Sequence, residues 1–269
     1  MVLDVAAAFE RAANDTVRGA SSIEESLLHA LLECRNRWSA EDLATHAAGL
    51  VEAHPVMGNI RGFARRVREL EPDELAAWMR RRLDGLGGLG ERLAEAAWPH
   101  LAPASRAVTV SRSSAVEAVM SGARGRGWTG EVVVLDGAPS GGGPEQAERV
   151  GGISQPDATA PRWLDGEDIV VITGADAVAD ERFVNASGTR ALLELAERRG
   201  VPRLLVADRG KDVAEEDLDA MLTAARCASE PGSARAWPVF EAVQCSLLTL
   251  RLSEATDHPI AIRTSESLW

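Results

Sequence analysis

Tyrosine is absent from this chain, lysine occurs once, at Lys211, and aromatic residues make up 4% of the whole. Base-stacking platforms are therefore scarce, and Trp237, just before the last expected strand, reads as a packing or rim residue. Positive charge is also short. The balance is -12 at pH 7 with histidine neutral, a field that repels phosphate backbones and argues against direct nucleic-acid binding, though not against a local basic pocket. The three cysteines, Cys34, Cys227 and Cys245, form no CxxC pair and do not cluster with the five histidines. They fit neither a disulfide framework nor a zinc site, and they suit a reducing, cytoplasmic setting; no metal and no cofactor is expected. Long apolar runs are missing too. Ile169 to Ile172 is far below the roughly 20 residues that a membrane span needs, and Asp4 and Glu10 flank a short apolar stretch with no basic leader, so no membrane association is expected.

What is present suffices for a core: 269 residues, 45% of them hydrophobic, can form one large domain or two moderate ones. Residues 4 to 99 read as helices only. Val5, Phe9 and Ala12 recur at helical spacing, Ser22 opens a second helix with Glu24 and Glu25 in its first turn, and Ser39 opens another ahead of Glu41 and Asp42. Breaks fall near Pro55, Pro72 and Gly85 to Gly90. From Ala104 the period changes. Strands are expected at Ala107 to Val110, Glu131 to Leu135, Asp168 to Ile172, Arg203 to Ala207 and Val239 to Val243. Helices are expected at Ser114 to Gly122, Pro144 to Arg149, Ser187 to Arg198 and Glu215 to Arg226. This alternation implies crossovers and a mostly parallel sheet, giving an α/β fold with a helical domain over 1–103 and a sheet-containing ligand-binding domain over 104–269.

Three strand-to-helix junctions carry polar groups, and parallel strands would bring them to one edge, where ligands of open α/β sheets bind. At the first, Ser111, Ser113 and Ser114 offer hydroxyls and a helix start for an anion, with Arg112 available for a charged contact; helix capping is the plain alternative. At the second, Asp136 precedes the Gly137 to Gly143 loop, whose glycines allow close backbone approach, yet the GxGxxG spacing and the Walker lysine are both missing. At the third, Asp176 could act as an acid or base or simply form a turn, and Asn185, Ser187, Gly188 and Thr189 could hold a phosphate or cap the next helix.

Six segments together resemble the superfamily of translation initiation factor 2B regulatory subunits, which includes the isomerases of methylthioribose 1-phosphate and ribose 1,5-bisphosphate. They are DTVRGASSI at Asp15 to Ile23, HPVMGNIRGFARRV at His54 to Val67, SRSS at Ser111 to Ser114, LDGAP at Leu135 to Pro139, TGADAV at Thr173 to Val178, and VNASGTRALLELAERRGVP at Val184 to Pro202. VADRGKDV at Val206 to Val213 and VFEAV at Val239 to Val243 extend the resemblance over nearly the whole chain. It implies an amino-terminal helical bundle on a Rossmann-like sheet, a homodimer formed through the carboxyl-terminal part, and a pocket for a small phosphorylated metabolite. Arg18, Gly19, Ala20, Arg112, Ser113, Ser114, Asp136, Asn185, Gly188, Thr189 and Lys211 would bind that ligand.

The isomerases of the superfamily use a cysteine in a THC-like motif and the aspartate of GAD. Thr109, Val110 and Ser111 occupy the first motif here, so Ser111 stands in place of the thiol, while Asp176 keeps the aspartate. A serine hydroxyl is far less acidic than a thiol and supplies no thiolate. An ETRP-like segment appears as Asp136 to Pro139 without its arginine, and an NK pair appears as Asn185 and Ala186 without its lysine. Arg18, Arg112 and Lys211 are the cations left to compensate. The resemblance thus implies a regulatory-subunit-like protein that binds a sugar phosphate or nucleotide without the standard isomerase activity. An isomerase with a modified mechanism, using Asp176 and Ser111, and a purely structural protein remain the competing readings.

Overall fold

The computed structural model describes residues 4–15, 18–139, 141–227 and 239–254. Six helices come first: α1 (Val5–Ala13), α2 (Ala20–Glu33), α3 (Ala40–Ala53), α4 (Gly58–Glu69), α5 (Pro72–Leu86) and α6 (Leu89–Leu101). Ser39 caps α3 as expected, accepting from the Asp42 N–H at 3.1 Å while Asp42 reaches back to the Ser39 hydroxyl at 2.7 Å. Ser22 does not open α2: the helix starts at Ala20 with Gly19 as its cap. Pro72 stands in the first turn of α5, where its missing N–H costs nothing, and Gly88 at φ 67 lets α6 start directly after the break. Phe9, Leu27, Leu28, Leu31, Leu43 and Phe63 bury the facing stripes. Removing a side chain such as Phe63 would cost about 3–5 kcal/mol.

The second part alternates β1 (Arg106–Val110), α7 (Ser114–Gly125), β2 (Glu131–Leu135), α8 (Gly143–Val150), β3 (Ile153–Gln155), α9 (Ala160–Trp163) and β4 (Ile169–Thr173). It continues through β5 (Ala177–Val178), β6 (Arg182–Ala186), α10 (Thr189–Arg198), β7 (Arg203–Val206), α11 (Glu215–Cys227), β8 (Phe240–Gln244) and β9 (Leu250–Leu252). Six strands in the order β3-β2-β1-β4-β7-β9 pair in parallel throughout, which gives the expected Rossmann-like α/β arrangement. Successive side chains face opposite sides, so Val132, Val134, Val170 and Ile172 pack toward α7, α8 and the amino-terminal helices. Val133, Leu135, Ile169 and Val171 pack toward α9 and α10.

A second sheet departs from the sequence reading. β5, β6 and β8 pair antiparallel, so the strand expected at Val239 to Val243 leaves the parallel sheet and forms, as Phe240–Gln244, beside β6. Asn185 likewise lies within β6 rather than leading into the helix, which starts at Thr189. Asp168, expected to begin a strand, takes a left-handed turn at φ 55 just before β4. Trp237 lies outside the described residues, as does the side chain of Cys227. Among the described residues no helix is long and apolar enough to cross a membrane.

Candidate functional site

Parallel pairing sets the carboxyl ends of β1, β2, β4 and β7 along one edge. A cavity of about 840 Å³ opens at that edge, where the starts of α2, α7 and α8 converge on it. On one wall Ser111 follows β1 in a left-handed conformation, φ 57, anchored by its N–H to the Leu135 carbonyl at 2.9 Å. Such a conformation costs a non-glycine residue about 1 kcal/mol, and neighbouring glycines make room for it. A Cβ on Gly142 would lie 3.2 Å from the Ser111 hydroxyl and 3.1 Å from the Arg112 Cβ. Gly137 and Gly142 are the two loop positions at which the Ser111–Arg112 turn leaves no room for a side chain.

Ser113 caps α7 by accepting from the Val116 N–H at 3.3 Å, and buried Gln146 grips its backbone, donating to the Ser113 carbonyl at 3.1 Å. Ser114 faces the start of α2, where a Cβ on Gly19 would come within 2.6 Å of its hydroxyl. Gly19 and Ala20, Ser113 and Ser114, and Gly141 and Gly142 thus bring three helix starts to one space. Each carries the partial positive charge of its helix, an arrangement suited to an anion.

Asp176 forms the other wall. Its N–H donates to the Val184 carbonyl at 2.8 Å, and its own carbonyl accepts from the Gly58 N–H at 2.9 Å, so β6 and the start of α4 hold it from two sides. Burial pushes its carboxyl up to about 6, a shift that the nearby Lys211 ammonium partly offsets. Lys211 is buried rather than at the rim, and its ammonium donates to the Ala175 carbonyl at 2.6 Å. Asn185 also lines the cavity, with its amide donating to the Thr173 and Thr189 hydroxyls at 2.9 Å each. Arg18 and Arg112 stand on the more open side, paired with Asp15 at 2.5 Å and Glu145 at 3.1 Å.

Three of the candidate residues do not reach the cavity. Asp136 accepts from the Ser154 hydroxyl at 2.6 Å, Gly188 caps α10 at φ 95, and Thr189 is fully buried with its hydroxyl donating to the Ala186 carbonyl at 2.6 Å. Residues 16–222 match the model of the Initiation factor 2 subunit family. The chain belongs to that family. No curated protein matches the sequence. Among solved structures it is similar to the Pyrococcus horikoshii OT3 translation initiation factor eIF-2B, at 18% identity and TM-score 0.77, over 96% of this chain and 97% of that one. It is also similar to the 5-methylthioribose 1-phosphate isomerase of the same organism, at 18% identity and TM-score 0.64, over 93% of this chain and 83% of that one. The tetrameric eIF2B-beta2-delta2 complex from C. thermophilum matches at 16% identity and TM-score 0.61, over 94% of this chain and 90% of that one.

This member of the initiation factor 2 subunit family has further cavity residues that the sequence reading did not single out. His54 turns its ring nitrogen to the Ala12 carbonyl at 2.7 Å, and Met57, Glu145, Arg149 and Phe240 complete the wall. The HPVMGN motif was a signal for the first two. Behind the wall, Arg82 bridges Glu24 and Asp208, each 2% exposed, through contacts of 2.7 and 2.8 Å. Burial raises the Glu24 carboxyl despite Arg82, whereas Lys211 and Arg82 together outweigh burial at Asp208 and lower it. Removing one partner from such a buried set costs about 3–5 kcal/mol, because a charge is left uncompensated. Among the described residues no cluster of three or more histidine, cysteine, aspartate or glutamate side chains could hold a metal ion.

Proposed function

We propose that this member of the initiation factor 2 subunit family binds a small phosphorylated metabolite, a sugar phosphate or nucleotide, in the cavity and does not carry out the standard isomerisation. The observation that carries this reading is the convergence of three helix starts with Ser111, Asp176 and Lys211 on one space of about 840 Å³. Ser111, Arg112, Ser113, Ser114, Gly19, Ala20 and Asn185 would hold the phosphorylated end, Arg18 would close on it, and Lys211 and Asp176 would meet the sugar. Asp136, Gly188 and Thr189 would support these residues from behind. We further read the chain as a helical domain, 1–103, on a ligand-binding domain, 104–269, and as a cytoplasmic homodimer through the latter; the tetrameric C. thermophilum relative supports assembly of such chains. Calorimetric titration with ribose 1,5-bisphosphate, methylthioribose 1-phosphate and nucleoside monophosphates tests the reading. Micromolar binding of at least one is expected, and heat-silent titrations with all of them would end it.

A second reading is favoured by one observation. A carboxyl held near pKa 6 at a cavity wall can take and return a proton near neutral pH, which is what moving hydrogen between C2 and C1 of an aldose phosphate requires. In that case Asp176 shuttles the proton and Ser111 orients the opened sugar. Conversion of an aldose 1-phosphate to its ketose by the pure protein, abolished in Asp176→Asn, would select this reading over the first.

A further inference from the structure

Arg82, on α5, does not line the cavity, yet it joins the parts that do. Its Nε and Nη2 donate to Glu24 of α2 at 2.8 and 2.7 Å, and the same Nη2 donates to Asp208 at 2.8 Å. Asp208 also accepts from the Gly210 N–H at 3.0 Å and from the hydroxyl of Ser21, beside Ala20, at 3.2 Å. The 3-10 turn Arg209–Lys211 is pressed from two sides. A side chain on Gly210 would collide with the Arg82 guanidinium, and a Cβ on Gly58, at the start of α4, would lie 2.6 Å from the Lys211 carbonyl. Lys211 extends from this turn to the carbonyl of Ala175.

We propose that Arg82 is a positioning residue of the cavity: by balancing two buried carboxylates at once, it fixes the turn Arg209–Lys211 against α2 and keeps the Lys211 ammonium on Ala175, beside Asp176. Both carboxylates are inaccessible to water and need a cation. A planar guanidinium can serve both, whereas an ammonium acts as a single point charge. With Arg82 gone, Lys211 is the cation left to Asp208, and its flexible stem lets it leave Ala175. Asp176 then loses the charge that acts on it. Lys211 is the charged group that shifts the Asp176 carboxyl; His54 on the facing wall is engaged with Ala12, and Arg112 and Arg149 pair with Glu145 and Glu117. Loss of a purely structural clamp would admit water to Asp176 and leave its midpoint unchanged or lower it, the opposite of the rise expected when Lys211 departs.

The full chain carrying Arg82→Lys, which keeps a cation between the carboxylates, tests this, with Arg82→Met as a stronger perturbation. The Asp176 protonation midpoint is read by carboxyl 13C NMR of aspartate-labelled protein, with Asp176→Asn identifying the signal. The midpoint should rise by about one pH unit in Arg82→Lys and further in Arg82→Met. A folded Arg82→Lys protein in which Asp176 titrates as in the wild type overturns the proposal. The consequence for ligand rests on the reading of the cavity as a phosphorylated-metabolite site: ribose 1,5-bisphosphate should bind Arg82→Lys roughly tenfold more weakly. A wild type that binds no sugar phosphate refutes that reading, while the NMR midpoint still decides the role of Arg82.

Discussion

The ammonium of Lys211 donates to the carbonyl of Ala175 at 2.6 Å, which places the chain's single lysine against the backbone immediately before Asp176. That contact joins the segment after β4 to the turn after its neighbouring strand β7 at one wall. Its electrostatic consequence is a carboxyl that burial raises and an ammonium partly restrains.

Asp176 therefore costs stability when ionised. Its carboxyl stands at about 6 in the folded protein against 3.8 ordinarily, so the native state binds more protons between these values. Its stabilising contribution is complete below the ordinary value and is lost as pH rises through the folded one. Asp176→Asn should raise unfolding free energy by about 1–3 kcal/mol near neutral pH and change it little at about pH 4. Urea denaturation at the two pH values measures the difference; equal effects at both would contradict it.

Replacing Lys211 by methionine keeps an unbranched side chain, one heavy atom shorter, and removes its charge. Affinity for ribose 1,5-bisphosphate should fall about 10- to 100-fold, and Asp176 should titrate at higher pH. Calorimetry and 13C NMR report the two effects separately, and undiminished affinity would remove Lys211 from the binding surface.

Gly174 follows β4 where a side chain would collide with the Ser113 cap of α7. Gly174→Ala should destabilise the protein by about 1–3 kcal/mol, mainly by displacing that cap. In a Ser113→Gly background the same substitution should cost less, and thermal unfolding of the four proteins of the cycle gives the coupling. Additive effects would mean that the two positions do not clash.

Ser111→Cys places a thiol at the end of β1 with little change in size. Ligand affinity should stay within about threefold of the wild type, while conversion of an aldose 1-phosphate to its ketose should rise above it, since a thiol is the more acidic group by several pK units. Proton NMR of the sugar in deuterated water follows both conversion and exchange. A variant that converts no more substrate than the wild type would show that the hydroxyl of Ser111 is not what limits conversion.

Much of the sheet could be read from spacing alone. The four apolar runs that became β1, β2, β4 and β7 are separated by helix-length segments, and that alternation dictates parallel pairing with a common ligand-facing edge. The short strands escaped notice because β3 and β9 span three residues each and β5 two, too few to display a period. Val239 to Val243 read as a strand of the main sheet because one-dimensional periodicity marks an extended segment without naming its neighbour.

Local pattern therefore decided the elements, the Ser39 cap and the polar junctions at Ser111 and Asp176, because propensity and patterning act over a few residues. Folding alone decided the charge balance behind the cavity. In sequence Arg82 is one of three consecutive arginines, indistinguishable from Arg80 and Arg81. Its role arises only when Glu24 and Asp208 are withdrawn from water on either side of it, because neutralising buried charge is a long-range requirement that no nearby spacing encodes.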